Sequence, residues 1–145
     1  MTEHGFSANG MASAMYWELF AAILTKTKRR AGYGSDLEGY EIKSAKMGSS
    51  FEYQYHKHTG IEKLEDEKGV THIYISYDDN YNDIDIRLIP ASSLSETFEG
   101  WRMGLKQNYK KGSTRQRYRK SIPFGFVCNH GQVIMRIRDQ KIAEI

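Results

Sequence analysis

One stretch constrains the fold more than any other. Between residues 83 and 89, Ile84, Ile86 and Leu88 alternate with Asp85 and Arg87. Period-two alternation marks a strand with one face buried and one in water. Asp85 is therefore expected to face solvent. A second β-rich run, residues 72–77, precedes it, and residues 78–82 are turn-formers by composition. The two runs are read as an antiparallel hairpin.

Other elements gather around this hairpin. In residues 11–28, Met15, Leu19, Ala22 and Ile23 share one face of a helix, at i, i+4, i+7 and i+8. Residues 40–45 read as a strand. Residues 60–68 read as a short helix, with Thr59 and Glu62 as a capping box and Gly69 as its stop. Ser93 and Glu96 repeat that box ahead of a helix carrying Leu94, Phe98, Trp101 and Leu105. Residues 107–120 are polar, basic and irregular. Residues 124–128 and 133–138 read as two final strands around an Asn129-His130-Gly131 turn. At 145 residues this is one domain, 1–145, of the α+β class, with a mixed central sheet flanked by helices.

Charge is distributed unevenly, and that bears on function. Residues 1–60 hold seven Lys/Arg and six Asp/Glu, a balance of +1; residues 61–100 reach −7, and residues 101–145 reach +9. From Arg102 to Arg138 there are ten basic residues and no acid. A surface facing only water mixes both signs. A polyanion explains the missing one, because each cation that neutralises a phosphate releases counterions. Lys110, Lys111, Arg115, Arg117, Arg119 and Lys120 are read as phosphate clamps, with a base reader among them. Trp17, Phe20, Phe98 and Trp101 are assigned to a core or a dimer interface rather than to base stacking.

The single cysteine, Cys128, excludes an internal disulfide and a cysteine-built zinc site. The longest apolar run, residues 19–24, is far short of the ~20 residues of a spanning helix. A signal peptide's basic and apolar regions are missing from the start of the chain. The expectation is a cytoplasmic protein with no membrane partner.

The chemistry-bearing residues sit on the strand at 40–45. Glu41 and Lys43, two apart, project from one face, and their neighbours Gly39 and Ala45 are small. Asp36 precedes Glu41 by five residues, across a turn that can bring the two carboxylates together. Two carboxylates suit Mg²⁺, a hard cation that takes oxygen ligands, and an ammonium beside them offsets charge developing on a phosphate. The same Glu-x-Lys spacing is also that of an ordinary same-face ion pair.

Tyr40-Glu41-Ile42-Lys43-Ser44 resembles the catalytic strand of the PD-(D/E)XK nucleases, and most closely the PvuII-like type II restriction endonucleases. The resemblance implies a restriction-endonuclease-like fold, with Asp36, Glu41 and Lys43 catalytic and Asp36 and Glu41 binding Mg²⁺. Tyr55-His56-Lys57-His58 stands where that family has a Thr and three base-reading histidines, so His56, Lys57 and His58 are expected at the DNA, with Gln54 beside them. The similarity runs in register over roughly residues 17–135. Departures exist. The turn between Asp36 and Glu41 is shorter, Ser35 replaces the motif's proline, and Arg117-Tyr118-Arg119-Lys120 replaces an Asn-Asn pair that reads bases.

The function so implied is Mg²⁺-dependent cleavage of both strands of duplex DNA at a short palindrome. The enzyme would be a homodimer in a prokaryotic cytoplasm, paired with a cognate DNA methyltransferase, and the helix at 11–28 would serve dimerisation. Two other readings stand beside it: a structure-selective nuclease of the same superfamily, and a DNA-binding module without catalysis.

Overall fold

The computed structural model describes residues 14–27, 36–109 and 117–145. Its centre is the expected hairpin, β3 (Thr71–Tyr77) and β4 (Ile84–Ile89). Their antiparallel register pairs Tyr77 with Ile84 and His72 with Ile89. On one side β1 (Tyr40–Lys46) pairs parallel to β3, Glu41 opposite His72 and Lys43 opposite Tyr74. On the other side follow β6 (Gln132–Arg138) and β7 (Lys141–Glu144), both antiparallel. The five-stranded order is β1-β3-β4-β6-β7. The fold is α+β, a mixed sheet flanked by helices, and it is compatible with a restriction-endonuclease-like architecture.

Each face of the sheet builds its own core. On one face α1 (Ala14–Thr25) lays Trp17 and Ala21 against Ile42, Ile73, Ile75 and Ile86. Trp17 stacks on Tyr77 with centroids 5.2 Å apart, a contact worth about 0.5–1.5 kcal/mol beyond its buried area. The other face carries Tyr74 and Ile89 and is covered by α2 (Gly60–Lys68), α3 (Ser95–Asn108), α4 (Phe124–His130) and strand β2 (Phe51–His56). There β2 pairs antiparallel with β5 (Arg117–Ile122) as a separate two-stranded ribbon. Gly104 of α3 lies against the Tyr118 hydroxyl of β5, at a spot where a Cβ would collide with it.

Several expectations are corrected. In α1 the row Met15, Leu19 and Ile23 is the exposed side, at 58–69% exposure, while Trp17 and Ala21 are buried. The helix is apolar on more than one side, and the stack on Tyr77 selects which side packs. Residues 124–128 form a helix, not a strand. Extended Pro123 precedes its first turn, and Val127 N–H donates to the Pro123 carbonyl. The Arg87 guanidinium then reaches the Cys128 and Gly131 carbonyls at 3.4 and 3.5 Å, satisfying a helix end that would otherwise lack partners. Neither capping box forms, since Thr59 makes no side-chain cap bond and Leu94, not Ser93, precedes α3. Ser93 is instead part of a 3-10 turn, Ala91–Ser93. Asp85 is buried rather than solvated, because Arg136 and Arg138 of β6 close on its carboxylate at 3.2 and 2.7 Å. Residues 117–122 are an ordered strand, not an irregular run. Among the described residues no helix is long and apolar enough to cross a membrane.

Candidate active site

Strand β1 sorts its residues by face. Ile42 points into the α1 core, so Glu41 and Lys43 point to the opposite side, towards α2 and the ribbon. Asp36 is drawn to the same place by the backbone. Its Oδ2 accepts the Ile42 N–H at 2.9 Å. Between them Leu37 and Tyr40 exchange two backbone hydrogen bonds, and Gly39 holds φ +83°, a left-handed value that favours glycine. The short turn holds the Asp36 carboxylate at the β1 backbone, where its charge contributes to raising Glu41.

Glu41 is 2% exposed. Its Oε1 lies 3.3 Å from Lys43 Nζ, and its Oε2 is buried without a hydrogen-bond partner. Burial pushes the Glu41 carboxyl up to about 8, against the pull of the Lys43 ammonium. Lys43 Nζ stands 4.4 Å from the centroid of the Tyr53 ring, a cation–π contact that fixes the ammonium from below.

Glu67, His72, Tyr53 and Tyr74 had no role in the sequence reading. Glu67 of α2 is fully buried, accepts the Tyr55 hydroxyl at 3.2 Å and lies 3.7 Å from Lys63 Nζ. Its carboxyl is raised by burial, opposed by the charges of Lys43 and Lys63. His72 places Nε2 at 2.8 Å from the Glu67 backbone carbonyl. A carbonyl only accepts, so Nε2 carries the proton and Nδ1 is free to accept. The Tyr53 hydroxyl, 2.8 Å away, therefore donates to Nδ1 and in turn accepts from Tyr74 at 2.7 Å. Burial lowers His72 to about 4, which keeps the ring neutral in this chain of donors. One signal for Glu67 was present in the sequence: it continues the stripe of Gly60 and Leu64, which is the buried side of α2.

Of the residues expected at DNA, Gln54, His56, Arg117, Arg119 and Lys120 lie on the ribbon. Phe51, Tyr53 and Tyr55 are buried, so Glu52, Gln54 and His56 face outward. In register, Ser121, Arg119 and Arg117 stand opposite them. Lys57 and His58 lie in the turn that joins β2 to α2, and His58 is exposed. Lys120 is exposed on β5. Lys110, Lys111 and Arg115 lie outside the described residues.

Among the described residues no group of three or more His, Cys, Asp and Glu side chains is placed to hold a metal. Two carboxylates, Asp36 and Glu41, are present, and one buried oxygen of Glu41 lacks a partner. An oxygen left that way is costly. The all-oxygen set suits Mg²⁺, which takes one or two carboxylates and completes its shell with water and substrate phosphate. No known protein family matches the chain, and no curated protein matches it.

Proposed function

We propose that this chain is a Mg²⁺-dependent type II restriction endonuclease acting as a homodimer on duplex DNA. The observation that carries the reading is the Asp36–Ile42 hydrogen bond. It holds a second carboxylate at the strand that carries Glu41, whose Oε1 lies 3.3 Å from Lys43 Nζ, on the face of β1 turned towards the β2–β5 ribbon.

Asp36 and Glu41 would hold the cation. When bound, Mg²⁺ stabilises charge on the phosphate and lowers the pKa of a coordinated water. Lys43 assists the attacking water and offsets the negative charge developing on the scissile phosphate. The Tyr53 ring and Glu41 hold that ammonium in place. A water oxygen bonds to phosphorus as the bond to the 3′ oxygen breaks. Of the water's two protons, one is matched through solvent by the proton that the leaving 3′ oxygen takes up, and the other stays with the new 5′-phosphate or passes to bulk water. The products are a 5′-phosphate and a 3′-hydroxyl. His56, Lys57, His58, Gln54, Arg117, Arg119 and Lys120 meet the DNA, and Lys110, Lys111 and Arg115 extend the same basic segment.

Dimerisation is supported by the exposed row Met15, Leu19 and Ile23 on α1. A second copy would bury it and pair two active sites across a palindrome. Sedimentation of Leu19→Glu should then give a folded monomer; an unchanged dimer would place the interface elsewhere. The reading also implies a prokaryotic cytoplasm and a cognate methyltransferase that protects the host site.

The test is digestion of long unmethylated duplex DNA with Mg²⁺ and with EDTA, followed by sequencing of the ends. Discrete Mg²⁺-dependent fragments that share one short palindrome support the proposal. A smear supports a structure-selective or non-specific nuclease instead. Intact DNA that still shifts in a binding gel supports a non-catalytic binding module.

A further inference from the structure

The outer face of the β2–β5 ribbon carries an acid where a DNA-binding surface has least use for one. Glu52 Oε1 accepts from Gln54 Nε2 at 3.1 Å and lies 3.6 Å from Arg119 Nε. Arg119 and Glu52 are 60% and 52% exposed. An ion pair so open to water adds little to stability. A carboxylate facing phosphates is repelled, which weakens binding to DNA of any sequence. In the major groove Glu52 gains an attractive partner only at an exocyclic amino group, cytosine N4 or adenine N6.

We propose that Glu52 and Arg119 together read one G·C base pair in the major groove of each half-site. Arg119 donates to guanine O6 and N7, Glu52 accepts from cytosine N4, and Gln54 steadies the carboxylate. The proposal rests on the duplex-DNA reading above and adds to it the identity of one base pair. Guanine O6 and cytosine N4 of one pair are hydrogen-bonded, about 3 Å apart. A donor and an acceptor that meet both must stand side by side, as this guanidinium and carboxylate do. The pair also lines an open cleft of about 540 Å³ with Lys120, which places a phosphate-binding cation next to the base readers.

The four base pairs then rank in a definite order. T·A offers Arg119 the thymine O4 acceptor and Glu52 the adenine amino group, so it is the second choice. A·T and C·G set an amino group against Arg119 and a carbonyl oxygen against Glu52, and both are rejected. Each mismatch should lower affinity about ten- to hundred-fold.

The full chain, with Ca²⁺ in place of Mg²⁺, is incubated with a library of randomised duplexes, and the bound fraction is sequenced. The wild type should select G·C at one position of each half-site, with T·A next. Glu52→Gln should move that position towards T·A, because glutamine pairs with adenine, and leave the other positions alone. Arg119→Ala should erase the preference for guanine there. Selective binding with no such position, or a Glu52→Gln profile identical to wild type, overturns the base-pair assignment. Sequence-blind binding of a duplex that is nonetheless cleaved with Mg²⁺ overturns it too and leaves the nuclease chemistry standing. A chain that binds no duplex overturns both.

Discussion

Tyr53 and Glu52 are adjacent in the chain and opposite in circumstance. The Tyr53 side chain is fully buried, bonded to His72 and Tyr74, with Lys43 above its ring. Glu52 is half-exposed and touches Gln54 and Arg119. One pleat of β2 therefore separates two layers. The inner layer holds charges in a dry setting, where each has a partner or a shifted proton affinity. The outer layer holds charges in water, where they cost the fold nothing and are free to meet a ligand. Changes inside should be felt in rate and stability, and changes outside in affinity and selectivity.

The largest effect should come from Lys43→Ala. Loss of one preorganised donor at a developing charge lowers a rate on the order of 100- to 1,000-fold. Duplex cleavage should fall by that much while duplex binding in a gel is retained. A variant that cleaves at the wild-type rate would reduce Lys43 to the counter-ion of Glu41 and remove the catalytic half of the comparison.

Next comes the pH dependence of stability without metal. Glu41 is raised from 4.5 to about 8 by burial, and burial shifts Glu67 in the same direction. Between those values the native state keeps a proton that the unfolded chain has released. The contribution of these carboxyls is therefore greatest below about 4.5 and is lost as pH rises towards 8, while His72, lowered to about 4, opposes it below about 6.5. The slope is at most about 1.4 kcal/mol per pH unit for each group. Urea midpoints in EDTA should decline from pH 6.5 to pH 8, above the range in which His72 opposes the trend, and Glu41→Gln should flatten the decline. A wild-type midpoint that rises over this range would mean that Glu41 is ionised in the fold.

Tyr53→Phe sharpens the same contrast from the inner side. It leaves His72 Nδ1 without its donor and the Tyr74 hydroxyl without its acceptor, both buried. An unsatisfied buried group costs about 1–3 kcal/mol, which chemical denaturation would read directly. The ring under Lys43 remains, so cleavage should change by less than about tenfold. A larger loss of rate would show that the hydroxyl itself is needed at the site.

Much of this was legible before the fold was seen, and the physical limits are instructive. The 72–89 hairpin and the shared face of Glu41 and Lys43 rest on local periodicity, and local periodicity survives folding; the helix at 60–68 is read from a capping box that does not form, although the helix itself is present. Strand β2 has the same strict alternation, with Phe51, Tyr53 and Tyr55 buried, but tyrosines among polar residues do not declare which side is dry. The Phe124–His130 helix depends on Arg87, 41 residues from Cys128. No window of sequence contains that contact. Asp85 was misread for the same reason, since the arginines that bury it come from β6. Glu67 was the recoverable miss, because an acid continuing the apolar stripe of a short helix needs a partner inside.

The smallest expected effect divides the outer layer itself. Arg117 pairs with His56 at the end of the ribbon where β2 finishes and β5 begins, two residues from Arg119. Both are exposed arginines on one face, and sequence alone treats them alike. Glu52 distinguishes them, because it orients Arg119. A guanidinium set by a neighbouring carboxylate is suited to a base edge, whereas Arg117 at the ribbon's end is suited to a phosphate. Arg117→Gln should therefore weaken binding to all duplexes about equally and reduce the slope of log K against log salt by about 1. The base preferences of the ribbon should not move. Titrations of specific and scrambled duplexes at several salt concentrations measure both quantities at once. An unchanged slope with one altered base preference would make Arg117 a second reader, and the outer layer would then hold a longer recognition surface than the Glu52–Arg119 pair supplies.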